Sequence, residues 1–282
     1  MKVKTKNIKH QSGRFLGANQ SELYYQSWHP NLTPRAVIVI VHGLGAHGGI
    51  FANLAEFLSD RRLTVYALDL RGHGRSAGQR GYIDSWSEFR QDLDVFIELI
   101  ATKEQNLSLF LLGQSLGGTI ALDYALHYGD RLRGLILLSP ALKVRVSRFK
   151  SLLGRFFSHL IPRFALDTGI YIATISREPQ VVTAAIQDPL RHTKVTARLA
   201  TEFWLTVAWI EAHANTLQIP LLILHGGADL VTPAKTSRAL FASIPLADKE
   251  RYEYLHGYHE LHNDCDRQAV FADLSNWLDR HI

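Results

Sequence analysis

Residues 107–128 constrain the fold more than any other stretch. An apolar run, Leu107–Leu112, passes into Gly113-Gln114-Ser115-Leu116-Gly117-Gly118 and then into a helical pattern through Tyr128. This is Gly-x-Ser-x-Gly set between a strand and a helix. A strand that turns straight into a helix leaves the corner residue in strained φ/ψ with its side chain pushed outward. Only small residues at 113 and 117 let the two elements pack that closely. The helix behind Ser115 points free backbone N–H groups and a positive dipole end at the hydroxyl, where a developing oxyanion would be stabilised.

The flanking chain reads as a parallel sheet. Arg14–Leu16 and Glu22–Trp28 form a hairpin pattern, and Ala36–Val41 is a continuous β-branched run of the kind covered on both faces. Helical patterns over 50–59 and 85–102 alternate with strands at Leu63–Leu68, Leu107–Leu112 and Leu135–Leu138. From Ala141 to Leu217 the patterns are helical only, with no strand. Alternation then resumes with strands at Pro220–His225 and Arg251–Leu255 and helices over 233–243 and 267–281. The expected architecture is α/β, a mostly parallel sheet with helices on both faces. Residues 1–140 form the first part of the core, 141–217 a helical cap and 218–282 the second part of the core.

A serine hydroxyl needs a base to take its proton and an anion to hold that base. In a parallel sheet the working loops follow the carboxyl ends of strands. Gly226-Gly227-Ala228-Asp229 follows the strand ending at His225, and Gly257-Tyr258-His259 follows the last strand. The candidates are therefore Ser115, Asp229 and His259. Asp229 could also serve only as a helix-opening residue before Thr232-Pro233, and Asp264 could replace it as the orienting acid. His256, His259 and His262, with Asp264 and Cys265, offer an alternative metal reading, which the strand-to-loop setting disfavours. Backbone N–H groups of Leu116 and of Leu44, in the loop His42-Gly43-Leu44-Gly45, are expected to hold the oxyanion. No phosphate-binding glycine motif accompanies that loop.

One cysteine, Cys265, rules out an intramolecular disulfide. The lysine-rich start lacks an apolar core of the signal-peptide kind, and no run approaches a membrane span. The formal net charge of +5 is too mild to indicate a nucleic-acid partner. The expectation is a cytoplasmic protein with no cofactor, no metal and no nucleic acid. The sequence says nothing of its oligomeric state.

Several segments together resemble the monoacylglycerol lipase and lysophospholipase-like group of α/β-hydrolases. They are His42-Gly43-Leu44-Gly45-Ala46-His47, Asp69-Leu70-Arg71-Gly72-His73-Gly74-Arg75-Ser76, Gly113 to Gly118, Gly227-Ala228-Asp229 and Gly257 to His262. Asp188-Pro189-Leu190, inside the insertion, belongs to the same likeness. The resemblance implies an eight-stranded sheet with a cap between the sixth and seventh strands. It implies Ser115 as nucleophile, Asp229 as acid, His259 as base and Leu44 and Leu116 as oxyanion donors. The activity implied is hydrolysis of lipid monoesters, a monoacylglycerol or a lysophospholipid, through an acyl-enzyme. A small-ester hydrolase or peptidase would share the triad, and a binding protein could share the fold. Ala46 and Gln114 depart from the residues usual in the eukaryotic lipases, Glu and His, which leaves the headgroup open.

Within the insertion, residues 141–163 carry Lys143, Arg145, Arg148, Lys150, Arg155 and Arg163 interleaved with Phe and Leu. That pattern suits a helix lying peripherally on a membrane. Gly43, Gln114, Phe203 and Trp204 are candidate substrate-binding residues. Phe203 and Trp204 are expected to line either an acyl pocket or the interior of the cap.

Overall fold

The structure, a computed structural model, describes residues 8–142 and 157–282. Its large sheet has eight strands in the order β1-β2-β4-β3-β5-β6-β9-β10. They are β1 Lys9–Leu16, β2 Glu22–His29, β3 Ala36–Val41, β4 Leu63–Leu68, β5 Ser108–Gln114, β6 Gly134–Leu138, β9 Leu221–Gly226 and β10 Lys249–Tyr254. β1 and β2 pair antiparallel with each other, as do β2 and β4, and every other pairing is parallel.

The continuous apolar runs follow from helices on both faces. Every residue of β3 is buried. Because side chains alternate along a strand, Val37, Val39 and Val41 join one core with Phe89, Leu93, Phe96 and Ile120. Ile38 and Ile40 join the other with Phe51, Leu54, Leu58, Val270 and Leu274. Helices α2 (Trp86–Lys103) and α3 (Leu116–Tyr128) supply the first face, and α1 (Ala52–Ser59) and α7 (Arg267–His281) the second.

The segment between β6 and β9, the sixth and seventh strands of the large sheet, departs from the sequence reading in one respect. It contains a two-stranded antiparallel ribbon, β7 (Ala165–Asp167) with β8 (Lys194–Thr196), where only helices were expected. Three-residue strands carry too short an alternation to register as a pattern. The ribbon precedes α5 (Ala197–His213), whose first turn is capped by Thr196 accepting from the Leu199 amide at 3.2 Å. α4 (Pro179–Gln187) opens with proline in its first turn. The core part of the chain closes with α6 (Lys235–Ser243) and α7. Most of the basic stretch 141–163, including Lys143, Arg145, Arg148, Lys150 and Arg155, lies outside the described residues. Among the described residues, no helix is long and apolar enough to cross a membrane.

The glycines at the strand-to-helix corner are required by contact. A Cβ at Gly117 would strike the carbonyl oxygens of Val41 and His42, and one at Gly118 would lie 2.8 Å from Pro140 Cβ. Gly129, just past α3, is different: its φ is −61° and a Cβ would meet only Ile219 Cγ2, at 3.6 Å. Gly117→Ala is expected to destabilise the fold by about 1–3 kcal/mol. Gly129→Ala is expected to be neutral or to stabilise by up to about 1 kcal/mol. Urea unfolding of the two variants checks the contrast, and equal effects would refute it.

Candidate active site

Ser115 lies between β5 and α3 with φ 55° and ψ −120°, a conformation that side-chain-bearing residues rarely adopt. Its surroundings hold it there. The Ser115 amide donates to Leu138 O at 3.1 Å, and its carbonyl accepts from Gly118 N at 2.9 Å and Ala141 N at 3.0 Å. Leu116 is the first helical residue, so its amide has no partner within the helix. Across from it runs the loop after β3. A Cβ on Gly43 would sit 2.6 Å from Gln114 Oε1 and 2.9 Å from Ser115 Cβ, so glycine is what lets this loop approach the serine.

His42 fixes that loop. Its Nε2 accepts from the Leu70 amide at 2.9 Å, which leaves the ring proton on Nδ1 to be donated to Gly43 O at 2.7 Å. Burial pushes this imidazole down to about 3, so it stays neutral and keeps one tautomer. The loop Asp69–Ser76 is scaffolding for the same region. Asp69 accepts from the Gly48 and Arg75 amides at 2.7 and 2.8 Å, and Arg71 grips Asp92 through Nε and Nη2 at 2.6 and 2.7 Å.

Asp229 and His259 meet beyond β9 and β10. Asp229 Oδ2 is 2.8 Å from His259 Nδ1. The carboxylate also accepts from the amides of Val231 (2.8 Å) and Thr232 (2.9 Å) and from Thr232 Oγ1 (2.8 Å). Burial opposes its charge. The charge of His259, hydrogen bonds from His225 and His259 and the Thr232 amide outweigh burial and hold the carboxyl well below its ordinary range. The two loops are in backbone contact, with Gly227 N donating to Tyr254 O at 2.7 Å and Ala228 N to Gly257 O at 3.1 Å.

The alternatives open at the level of sequence find other places. Asp264 accepts from Tyr258 N at 2.8 Å and from Arg177 N and Nε at 2.7 and 3.0 Å, bracing the His259 loop from behind. His262 is fully buried and stacked on Phe51, with ring centroids 4.1 Å apart, while His256 is exposed. The three histidines thus face three different surroundings.

Ser115 and His259 line one cavity of about 300 Å³, together with Gly43, Leu44 and Gln114. Its opposite wall comes from the segment between β6 and β9, chiefly Ile170, Ile172, Ile175, Ala185 and Ile186, with Arg191 and His192 beside Glu260. Phe203 and Trp204 do not line it. The apolar stripe of α5 turns inward instead, and Phe203 packs against Trp86 with centroids 6.3 Å apart. Ile170, Ile172, Ile175, Arg191 and Glu260 escaped the sequence reading because they sit on short or irregular segments, and Ile186 because a helical stripe does not say which cavity it faces. Only the position of Glu260 next to His259 offered a signal.

The family described as serine aminopeptidase, S33, matches residues 33–266. The chain belongs to this family. Within it the chain is a carboxylic ester hydrolase of the monoacylglycerol lipase and lysophospholipase group, on the α/β-hydrolase fold. It is 31% identical to the monoacylglycerol lipase of Mycolicibacterium smegmatis over 271 residues, 95% of this chain and 96% of that one. It is 30% identical over 254 residues to phospholipase YtpA of Bacillus subtilis, 88% of this chain and 97% of that one. The crystal structure of Paleococcus ferrophilus monoacylglycerol lipase superposes with a TM-score of 0.84 at 32% identity, covering 92% of this chain and 99% of that one.

Buried neutral imidazoles lie beside the site of this hydrolase, and each opposes folding as the pH falls. Burial lowers His42 to about 3 and His262 to about 4, against 6.5 for a free imidazole. Below pH 6.5 the unfolded chain takes up protons that the folded one refuses, so stability falls as pH drops toward 4. Each such histidine contributes roughly 1 kcal/mol per pH unit in that window. Among the described residues, neither ring nitrogen of His262 has a hydrogen-bond partner. His262→Phe keeps the stack on Phe51, removes one proton acceptor and is expected to flatten the loss of stability between pH 6.5 and 4. Urea midpoints across that range check it, and an unchanged slope would refute it.

Proposed function

We propose that Ser115, His259 and Asp229 act as nucleophile, base and orienting acid in the hydrolysis of monoacylglycerols. Ser115 Oγ attacks the ester carbonyl as His259 takes its proton. The amides of Leu44 and Leu116 hold the oxyanion. His259 then protonates the departing glycerol oxygen, and a water activated by the same ring releases the fatty acid. Asp229 keeps the ring proton on Nδ1 and balances the imidazolium as it forms.

The observation that carries the choice of substrate is the charge of the cavity. Its isoleucine wall suits an acyl chain. Its cation, Arg191, is neutralised through two hydrogen bonds to Glu260 at 2.8 and 3.1 Å, and burial lowers His192 to about 4. Among the described residues lining the cavity no cationic charge is left uncompensated for a phosphate, whereas Gln114, Thr168 and Thr193 offer neutral hydrogen-bonding groups for hydroxyls. The monoacylglycerol lipase relatives support this reading, and the phospholipase relative supports a lysophospholipid as the second one.

Peripheral contact with a membrane is part of the proposal. Leu160, Phe164, Leu166, Tyr171 and Ile186 are 55–74% exposed on the segment that walls the cavity. Their positions support substrate entry from a lipid surface through this end of the molecule.

Ser115→Ala is expected to lower turnover by about 10⁴–10⁶-fold and Asp229→Asn by about 10³–10⁴-fold, with folding intact. The wild type is expected to cleave a monoacylglycerol at least about tenfold faster than a lysophosphatidylcholine of the same acyl chain, the scale of one lost charge pairing. Equal rates on the two lipids would overturn the headgroup assignment, and hydrolysis by the Ser115 variant would overturn the triad. In vesicle sedimentation, Leu160→Ser with Phe164→Ser is expected to reduce binding several-fold. Unchanged binding would remove the membrane-contact reading.

A further inference from the structure

One short turn of the inserted segment touches the loops on both sides of Ser115. In Asp188–His192 the Leu190 amide donates to Asp188 Oδ1 at 2.9 Å and the Arg191 amide to Asp188 O at 3.2 Å, so the turn closes on itself. Toward the loop that carries Leu44, Asp188 Oδ2 accepts from His47 Nε2 at 2.8 Å, and His192 N donates to Gly45 O at 3.0 Å. Toward the loop that carries His259, the Arg191 guanidinium forks onto both oxygens of Glu260, the next residue after the histidine. The Glu260 amide donates to Ile175 O at 2.8 Å, also in the insertion.

The Arg191–Glu260 pair is buried, with side chains 15% and 5% exposed. Burial pushes the Glu260 carboxyl up, but the charge and hydrogen bonds of Arg191, aided by His262 and His259, overcome this and bring it to about 2. A fork of this kind is directional, and removing one half strands the other as a buried charge. No step of the hydrolysis uses either group.

We propose that Arg191 and Glu260 form a positioning clamp that locks the His259 loop to the same turn that braces the Leu44 loop. Base and oxyanion donors then share one rigid reference on opposite sides of the serine. The proposal rests on the reading of Ser115, His259 and Asp229 as the reacting groups. The clamp is balanced in charge as well as shape. His259 faces Asp229 and Thr232 at Nδ1, with His225 behind Asp229, and it feels Glu260 and His262 on its own loop and Arg191 across the cavity. Breaking the pair from either side therefore leaves opposite charges beside the base.

The test uses Arg191→Met, Arg191→Lys and Glu260→Gln, with Arg198→Ala as control. Arg198 ties the insertion to Asp84 O at 2.7 Å and touches neither catalytic loop. Turnover of a short soluble p-nitrophenyl ester from pH 5 to 9 makes the result independent of headgroup. Each clamp variant is expected to lose about 10–100-fold in kcat with KM changed by less than about threefold. The acid limb of kcat/KM is expected to move to higher pH in Arg191→Met, where Glu260 stands alone, and to lower pH in Glu260→Gln, each by about 0.5–1 pH unit. Arg191→Lys keeps the charge but not the fork, so its acid limb stays in place while kcat falls. Shifts in the same direction, unchanged kcat, or a loss no greater than in Arg198→Ala would overturn the clamp. If Arg191→Met does not fold, Glu260→Gln and Arg191→Lys still decide it. Failure of the triad reading appears separately, as esterase activity surviving in Ser115→Ala.

Discussion

The whole site depends on how closely α3 packs behind β5. The chain leaves β5 at Gln114 and enters α3 at Leu116 with one residue between them. Ser115 absorbs the entire change of direction, and its strained backbone persists because the carbonyls of Val41, the last residue of β3, and of His42 rest directly on Gly117. Any side chain at 117 would lever the helix away from the sheet. The serine would then relax, the Leu116 amide would swing aside and the loop after β3 would lose the surface it packs on. Strain of this kind survives only where the surroundings over-determine it. Here they do so through the Leu138, Gly118 and Ala141 hydrogen bonds and the buried sheet beneath.

Around that corner the protein keeps its charges few and matched. Asp229 is the anion beside His259, the proposed base, and it is ringed by donors. Arg191 and Glu260 cancel, and His42 is neutral because burial forbids the proton. A hydroxyl attacking an ester creates one negative charge on the substrate and one positive charge on the base. Among the described residues the site holds no spare charge, so in the proposed reaction those two are left to fixed dipoles and to Asp229, which is where pre-organised donors act most strongly.

What the sequence revealed and what it hid follow the range of the interactions involved. The corner at Ser115, the buried runs of β3 and β9 and the loop positions of Asp229 and His259 are written locally, in glycine spacing and strand composition. The large sheet has the eight strands that the resemblance implied. The wall of the cavity is written in contacts between residues distant in the chain. Ile170 and Ile175 lie outside any helix or strand, and β7 and β8 are three residues each. Phe203 and Trp204 mislead for the opposite reason: they sit on a helix whose stripe is plain, but a stripe does not say which neighbour it faces. Phe203 found Trp86. His262, one step beyond His259 in the three-residue repeat, is an aromatic plate on Phe51.

The strand order explains how one segment between β6 and β9 reaches both the loop after β3 and the loop after β10. The proposed reacting groups follow β3, β5, β9 and β10, and the segment between β6 and β9 leaves from β6, the middle strand of the run β3-β5-β6-β9-β10. Neighbouring strands lie about 4.8 Å apart, so the loops to be bridged span about 19 Å, with two on each side of the point of departure. A segment rising from either edge would have to span the full width of this run to reach the far loop. One rising from the centre meets both sides at equal reach. The hydrogen bonds of the Asp188–His192 turn to Gly45 and His47 on one side, and to Glu260 on the other, are what that central origin makes possible.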